Sequence, residues 1–306
     1  MFNAKMPRNA KPRKDKERSE PQNRKSPNER NVEIELLSSS SRDLCIPFAN
    51  LCVLRVFALK KERQTMTYTY SDISKMIDHS LLQPMLTVAD LEAGCQLARD
   101  YDAASVCILP YAVKRCAEIL AGSTVKASTT IGFPHGGHTT AIKVAEALQA
   151  LKDGCQELDM VVNISQVLSG QWDYVRKEIK EITDAAHSAG QKIKVIFENC
   201  YLQDSHKIRL CEICGELNCD WVKTSTGYGT GGATLADLKL MREHSPPHVQ
   251  VKAAGGIRTL DQLLEARPFI TRCGASKTAE ILNECRQRLG LSPITSATKA
   301  VSSSSY

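Results

Sequence analysis

Eight short runs of apolar and β-branched residues, each followed by a helix-period stretch, fill the chain from about residue 71 onward. The runs are SKMIDHSLL (74–82), AASVCILP (103–110), TVKASTTIGFP (124–134), ELDMVVNIS (157–165), KIKVIFEN (192–199), CDWVKTSTG (219–227), HVQVKAAGG (248–256) and FITRCGAS (269–276). A repeat of about 30 residues per strand and helix is the spacing of a (β/α)8 TIM barrel of roughly 250 residues. A doubly wound open sheet competes with it. That fold wants five or six strands and a glycine-rich fingerprint after the first. Here the first strand runs into LLQP, and the glycine-rich turns come after strands six, seven and eight.

The intervening stretches read as amphipathic helices. In Thr139–Asp153, Ile142, Ala145, Leu148 and, with drift, Leu151 share one face, which is expected to pack on the barrel. Trp172, Val175, Ile179 and Ile182 do the same in the next helix. Thr87 and Thr234 are expected N-caps, and Gly190 an expected C-cap.

The organisation read from the chain has three parts. Residues 1–70 form a basic, disordered extension, too poor in large apolar residues to offset the entropy of ordering. A translation start at Met66 is an alternative origin for this segment. Residues 71–290 form the barrel, and 291–306 a flexible serine-rich tail. Charge divides the same way. Residues 1–70 hold 15 Lys and Arg against 8 Asp and Glu, whereas 71–306 hold 25 against 26. The basic pI of about 8.7 therefore describes the arm. A nucleic-acid-binding body is excluded as the default. The apolar stretch 44–59 is shorter than the roughly 20 residues that span a bilayer, so no membrane partner is expected. Twelve cysteines scattered through a large chain argue for reduced thiols and a cytoplasmic location. Cys211, Cys214 and Cys219 make a lone CxxC cluster without a second pair, and His135 and His138 lack partners, so no metal is expected.

Strand C-termini carry the chemistry of such barrels. Several of these strands carry a charged residue of interest, among them Asp78, Asp159, Glu198, Lys223 and Lys252. A charge in a buried strand costs several kcal/mol unless paired. One could be a salt bridge capping the barrel; Lys223, Lys252 and Asp159 together call for a function. Two lysines at one mouth repel, and each is expected to lower the pKa of the other. A lysine brought near neutrality is a nucleophile for carbonyls, suggesting Schiff-base chemistry. Gly227, Gly229, Gly231 and Gly232 follow Lys223, Gly255 and Gly256 follow Lys252, and Gly274 precedes Ser276. Three such turns on consecutive strands favour a phosphorylated ligand.

The segments MIDHSLL (76–82), KASTTIGFPHG (126–136), ELDMVVN (157–163), VKTSTGYGTGGAT (222–234), VKAAGGIRT (251–259) and TRCGAS (271–276), in this order along the chain, closely resemble the deoxyribose-phosphate aldolase family from about residue 74 to 290. The resemblance implies a metal-independent class I aldolase, without cofactor. It would cleave 2-deoxy-D-ribose 5-phosphate reversibly to D-glyceraldehyde 3-phosphate and acetaldehyde, in deoxyribonucleotide catabolism. It also implies roles by motif. Lys223 is the Schiff-base lysine, Lys252 the second lysine, and Asp159 the carboxylate of a proton relay. Tyr306 is a C-terminal tyrosine assisting proton transfer. Asp78, Cys107, Gly227, Gly255, Gly256 and Ser276 bind substrate. The expected partners are the phosphorylated sugar and further copies of the chain, as a dimer or tetramer. Lys277 departs from the small polar residue usual after the serine of the GAS turn, and leaves the phosphate pocket's fine geometry open. Two rival readings are another lysine-dependent barrel aldolase and a barrel retained as an inactive scaffold. The pairing of KTSTG with KAAGG opposes the first, and the intact charged cluster the second.

Overall fold

The computed structural model describes residues 68–294, and the readings that fall on 1–67 and 295–306 lie outside it. Eight parallel strands close in chain order into one barrel. They are β1 (Ile77–Leu81), β2 (Ser105–Ile108), β3 (Lys126–Ile131), β4 (Glu157–Val161), β5 (Lys192–Ile196), β6 (Trp221–Lys223), β7 (Gln250–Ala254) and β8 (Arg272–Ala275). Each of the eight sequence runs holds one strand, so the fold is the (β/α)8 barrel that their spacing predicts.

The helices, in order, are α1 (Tyr70–Ser74), α2 (Val88–Asp100), α3 (Val113–Leu120), α4 (Thr140–Lys152), α5 (Ile164–Leu168), α6 (Trp172–Ser188), α7 (Asp204–Glu216), α8 (Leu235–His244), α9 (Leu260–Ala266) and α10 (Thr278–Arg288). Thr87 caps α2 in a reciprocal box, accepting from the Asp90 amide while the Asp90 carboxylate takes the Thr87 amide. Thr234 caps α8 by accepting from the Asp237 amide. Gly190 follows α6 in the left-handed region, at φ +69°, as a C-terminal cap requires. Asn163 of the NIS triplet is also a cap, its side chain accepting from the Gln166 amide.

The apolar core lies between the strands and this helical ring. From α6, Val175, Ile179 and Ile182 enter it fully buried, with Trp172 packed at its edge. Helix α4 turns differently from the expected face. Ile142 and Leu148 are 57% and 53% exposed, while Lys143, Ala147 and Ala150 are buried. The reason is an ion pair that no hydropathy pattern contains. Lys143 Nζ lies 2.8 Å from Glu178 on α6 and donates to the Val161 carbonyl at the end of β4 at 2.7 Å. Paired and hydrogen-bonded, the lysine is tolerated where an isoleucine was expected. Cys211, Cys214 and Cys219 are buried members of the apolar core. Among the described residues, no helix is long and apolar enough to cross a membrane.

Candidate active site

Strand register brings the charged residues together. Lys223 on β6 is opposite Lys252 on β7, which is opposite Arg272 on β8. Asp159 on β4 is opposite Lys194 on β5. Side chains alternate along a strand, so these residues point into the barrel rather than toward the helices. The interior is therefore occupied by an ion network in place of apolar side chains.

Asp159 is its hub. Its Oδ2 accepts from Lys223 Nζ at 2.7 Å and from Lys252 Nζ at 2.8 Å, and its Oδ1 from Lys194 at 2.9 Å. Asp78 on β1 lies 2.5 Å from Lys252 Nζ, an ion-pair contact outside hydrogen-bond alignment, and accepts from Arg272. Arg272 and Lys194 both hold Glu157, at 2.7 and 2.6 Å. Beneath them Trp221 presents its ring to both cations, 5.1 Å from Arg272 and 5.6 Å from Lys194. Every member of the network except Arg272 and the Trp221 ring is buried.

The network has three carboxylates, Asp78, Glu157 and Asp159, and four bases, Lys194, Lys223, Lys252 and Arg272. Among the described residues, Lys194, Lys252 and Arg272 each touch two or more carboxylates, whereas Lys223 contacts only Asp159, which it shares. Lys223 is thus the surplus cation, and removing its proton leaves the remaining charges balanced. Burial, helped by repulsion from Lys252, outweighs the attraction of Asp159 and holds the Lys223 amine below its ordinary value. Burial pulls Lys252 the same way, but Asp159 and Asp78 together reverse it, and Lys252 is held above its ordinary value. The expected mutual lowering of the two lysines is therefore corrected: it acts on Lys223 alone. The second carboxylate, brought by β1, decides the asymmetry. Asp159, despite full burial, is kept well below the carboxylate range by Lys194, Lys223 and Lys252.

Lys223 and Lys252 border a cavity of about 440 Å3 at the C-terminal end of the strands. Of the sequence-predicted residues, Asp78, Cys107, Gly227, Gly255, Gly256 and Ser276 also line it; Asp159 lies just beneath, and Tyr306 is outside the described residues. Burial raises the Cys107 thiol, so it stands in the wall as a neutral group. The glycines are required by geometry. A Cβ on Gly232 would sit 2.6 Å from the Gly255 carbonyl carbon and oxygen, and Gly255 itself has φ +75°. The turns after β6 and β7 can therefore press together, joined by the Ala233 amide donating to the Gly255 carbonyl at 3.0 Å. Lys277 borders the cavity too, with its amine 3.0 Å from Glu280.

Glu198, noted as a strand-end charge, is not part of the lysine network. It follows β5 in the left-handed region at φ 59° and accepts from the amide and hydroxyl of Thr226. Sequence reasoning missed Lys194, Glu157 and Arg272. The signal was available for Lys194, a lysine set between Ile193 and Val195 on the same side of its strand as Ile196. Among the described residues, no cluster of His, Cys, Asp or Glu is placed to hold a metal ion.

Comparison with known proteins gives a consistent picture. The family model described as DeoC/LacD family aldolase matches residues 72–275. The deoxyribose-phosphate aldolase of Rhodopirellula baltica is 72% identical over 228 residues, 74% of this chain and 95% of that protein. That of Caldanaerobacter subterraneus is 46% identical over 234 residues, 75% of this chain and 98% of that protein. Among solved structures, the tetrameric deoxyribose phosphate aldolase from Aeropyrum pernix superposes with a TM-score of 0.66 at 28% identity, covering 71% of this chain and 92% of that one.

Proposed function

The chain belongs to the DeoC/LacD aldolase family and is a lyase, and from that premise we propose that it cleaves 2-deoxy-D-ribose 5-phosphate through a Schiff base on Lys223. The observation that carries this reading is the environment of one amine. Lys223 is the surplus base of a buried ion network, held below its ordinary pKa, at the edge of a cavity with glycine turns suited to a phosphate.

In this reading the neutral Lys223 amine adds to the C1 aldehyde of the open-chain sugar. Lys252, kept protonated by Asp159 and Asp78, supplies the proton with which the carbinolamine hydroxyl leaves as water. The resulting iminium draws electrons from the C2–C3 bond. As the C3 hydroxyl loses its proton to water held by Asp159, that bond breaks and C3 becomes the aldehyde of glyceraldehyde 3-phosphate. The electron pair forms the C1–C2 double bond of an enamine on Lys223. Protonation of C2, then addition of water, releases acetaldehyde and restores the amine. Tyr306 is assigned a part in that C2 protonation from the sequence resemblance. The backbone amides around Gly227, Gly255 and Gly256, with Ser276, cradle the phosphate. Asp78 and Cys107 wall the sugar end.

The cell would use the reaction to break down deoxyribonucleotide sugars, in the cytoplasm and with the chain assembled as a dimer or tetramer. The test is reduction by borohydride in the presence of acetaldehyde, followed by peptide mapping, with turnover of deoxyribose 5-phosphate compared against fructose bisphosphate. An adduct on the 222–234 peptide and selective turnover of the deoxy sugar support the reading. Label on another peptide, or equal turnover, refutes it.

A further inference from the structure

The residue after Gly227 makes a contact that the chemistry above does not use. Tyr228, in the turn after β6, donates its hydroxyl to the Leu82 carbonyl at 2.7 Å, and Leu82 directly follows β1. Its ring also meets Phe133, in the turn after β3, edge to face, with centroids 5.3 Å apart and planes at 87°. In a barrel closed in chain order, β6 lies across from β2, and β1 and β3 flank β2 on either side. One side chain therefore reaches across the mouth and joins the turns on both sides of β2. Cys107, the cavity-lining residue of β2, lies on that side.

The near end of this bridge is fixed too. The Tyr228 amide donates to Thr226 Oγ1 at 3.0 Å, and the amide and hydroxyl of Thr226 are held by Glu198. Glu198 adopts a left-handed conformation that a non-glycine residue rarely takes, and persists there because its carboxylate is held by Thr226. Gly227, at φ +88°, supplies the turn between Thr226 and Tyr228. Tyr228 thus lines the cavity with one part of its side chain while remaining 39% exposed.

We propose that Tyr228 is a specificity-determining residue: a clasp over the Lys223–Cys107 side of the cavity that limits the size of the aldehyde held on Lys223 and shields that side from solvent. The glycine turn after β7 packs against the base of the turn that carries Tyr228, and from there the side chain extends the other way, toward Leu82 and Phe133. Its ring and hydroxyl contacts therefore fall on the Cys107 side of the mouth, into which an aldehyde held on Lys223 would extend. An aldehyde with one more methylene has to displace an anchored ring, whereas acetaldehyde does not. The assignment to the donor aldehyde rests on the proposed aldolase reading; the assignment as a roof over Cys107 does not.

The experiment compares the parent with Tyr228→Phe and Tyr228→Ala in two arms. The first measures alkylation of Cys107 by a small neutral thiol reagent, mapped by peptide mass, with the buried Cys211 as reference. Loss of one anchoring hydrogen bond is expected to raise Cys107 labelling about fivefold in Tyr228→Phe. Tyr228→Ala is expected to raise it further, with Cys211 unchanged. The second arm measures propanal against acetaldehyde as donor with glyceraldehyde 3-phosphate. The propanal-to-acetaldehyde ratio of kcat/KM is expected to rise about tenfold in Tyr228→Ala, the scale of one methylene in a fitted pocket. Unchanged Cys107 labelling in both variants overturns the clasp, as does a rise shared by the other buried cysteines, which signals general loosening. Raised Cys107 labelling with an unchanged donor ratio overturns the specificity role. A parent that uses neither aldehyde while its Cys107 responds to the variants refutes the aldolase reading and leaves the roof standing.

Discussion

Lys223 and Lys252 sit opposite each other on neighbouring strands and share one oxygen, Asp159 Oδ2, at 2.7 and 2.8 Å. The pair is not symmetrical. Among the described residues, Lys252 has a second carboxylate in Asp78, and Lys223 has none. Two amines of the same type and burial are thereby pushed in opposite directions, one toward the neutral nucleophile and one toward the cationic acid. That difference is the basis of the predictions about catalysis.

Replacing Lys223 by Ala is expected to lower turnover of deoxyribose 5-phosphate by about a thousandfold or more, because the covalent step is lost. Circular dichroism and thermal unfolding should stay close to the parent, since the removed amine is the surplus charge. Residual activity within tenfold of the parent would contradict the assignment.

The acid limb of the pH–kcat/KM profile is expected to lie below 10.5, the ordinary value for lysine, because the free amine must be neutral and its pKa is lowered. Lys252→Met removes the repelling charge and releases Asp159 to attract Lys223 more strongly. Both effects raise the Lys223 pKa, so the limb should move to higher pH as the rate falls. A limb that stays in place, or moves to lower pH, would contradict the coupling.

Asp159→Asn should lower activity and also stability, by about 3–5 kcal/mol, because Lys194, Lys223 and Lys252 lose a shared buried counter-charge. The sign of the acid dependence follows from the same carboxylate. Its folded pKa lies below 3.8, so its contribution is present above that value and is lost as pH falls below it. Urea unfolding of the parent at a series of pH values should show stability declining below about pH 4. The variant should show a shallower decline.

The buried pair on the outer face of the barrel gives a test without catalysis. Lys143→Met leaves the buried Glu178 carboxyl without its counter-charge, and should cost about 3–5 kcal/mol in urea unfolding. Adding Glu178→Gln removes that carboxyl while keeping an acceptor for the Asn163 amide, and should recover most of the loss. A double variant no better than the single one would contradict the pairing.

Treatment with a strong chelator, followed by assay in metal-free buffer, is expected to leave turnover within about twofold of the untreated enzyme, since each proposed step uses a protein amine or carboxylate. A loss that added divalent metal restores would contradict the lysine mechanism.

Much of this protein was written in local sequence. A strand needs a handful of β-branched residues and a helix a period of 3.6, and both are short-range properties. Eight repeats therefore announced the barrel, and the capping threonines Thr87 and Thr234 announced where α2 and α8 start. Lys223, Lys252 and Asp159 were legible for a related reason, since a charge inside an apolar strand has no cheap local explanation. What remained hidden depends on partners distant in the chain. Ile142 and Lys143 are adjacent in sequence, and only Glu178 on another helix decides which of them turns inward. Lys223 and Lys252 stand in similar motifs, and only Asp78, delivered by the first strand, decides which holds its proton more tightly. Electrostatic energy depends on distance through space and on burial, and neither is set until the barrel closes.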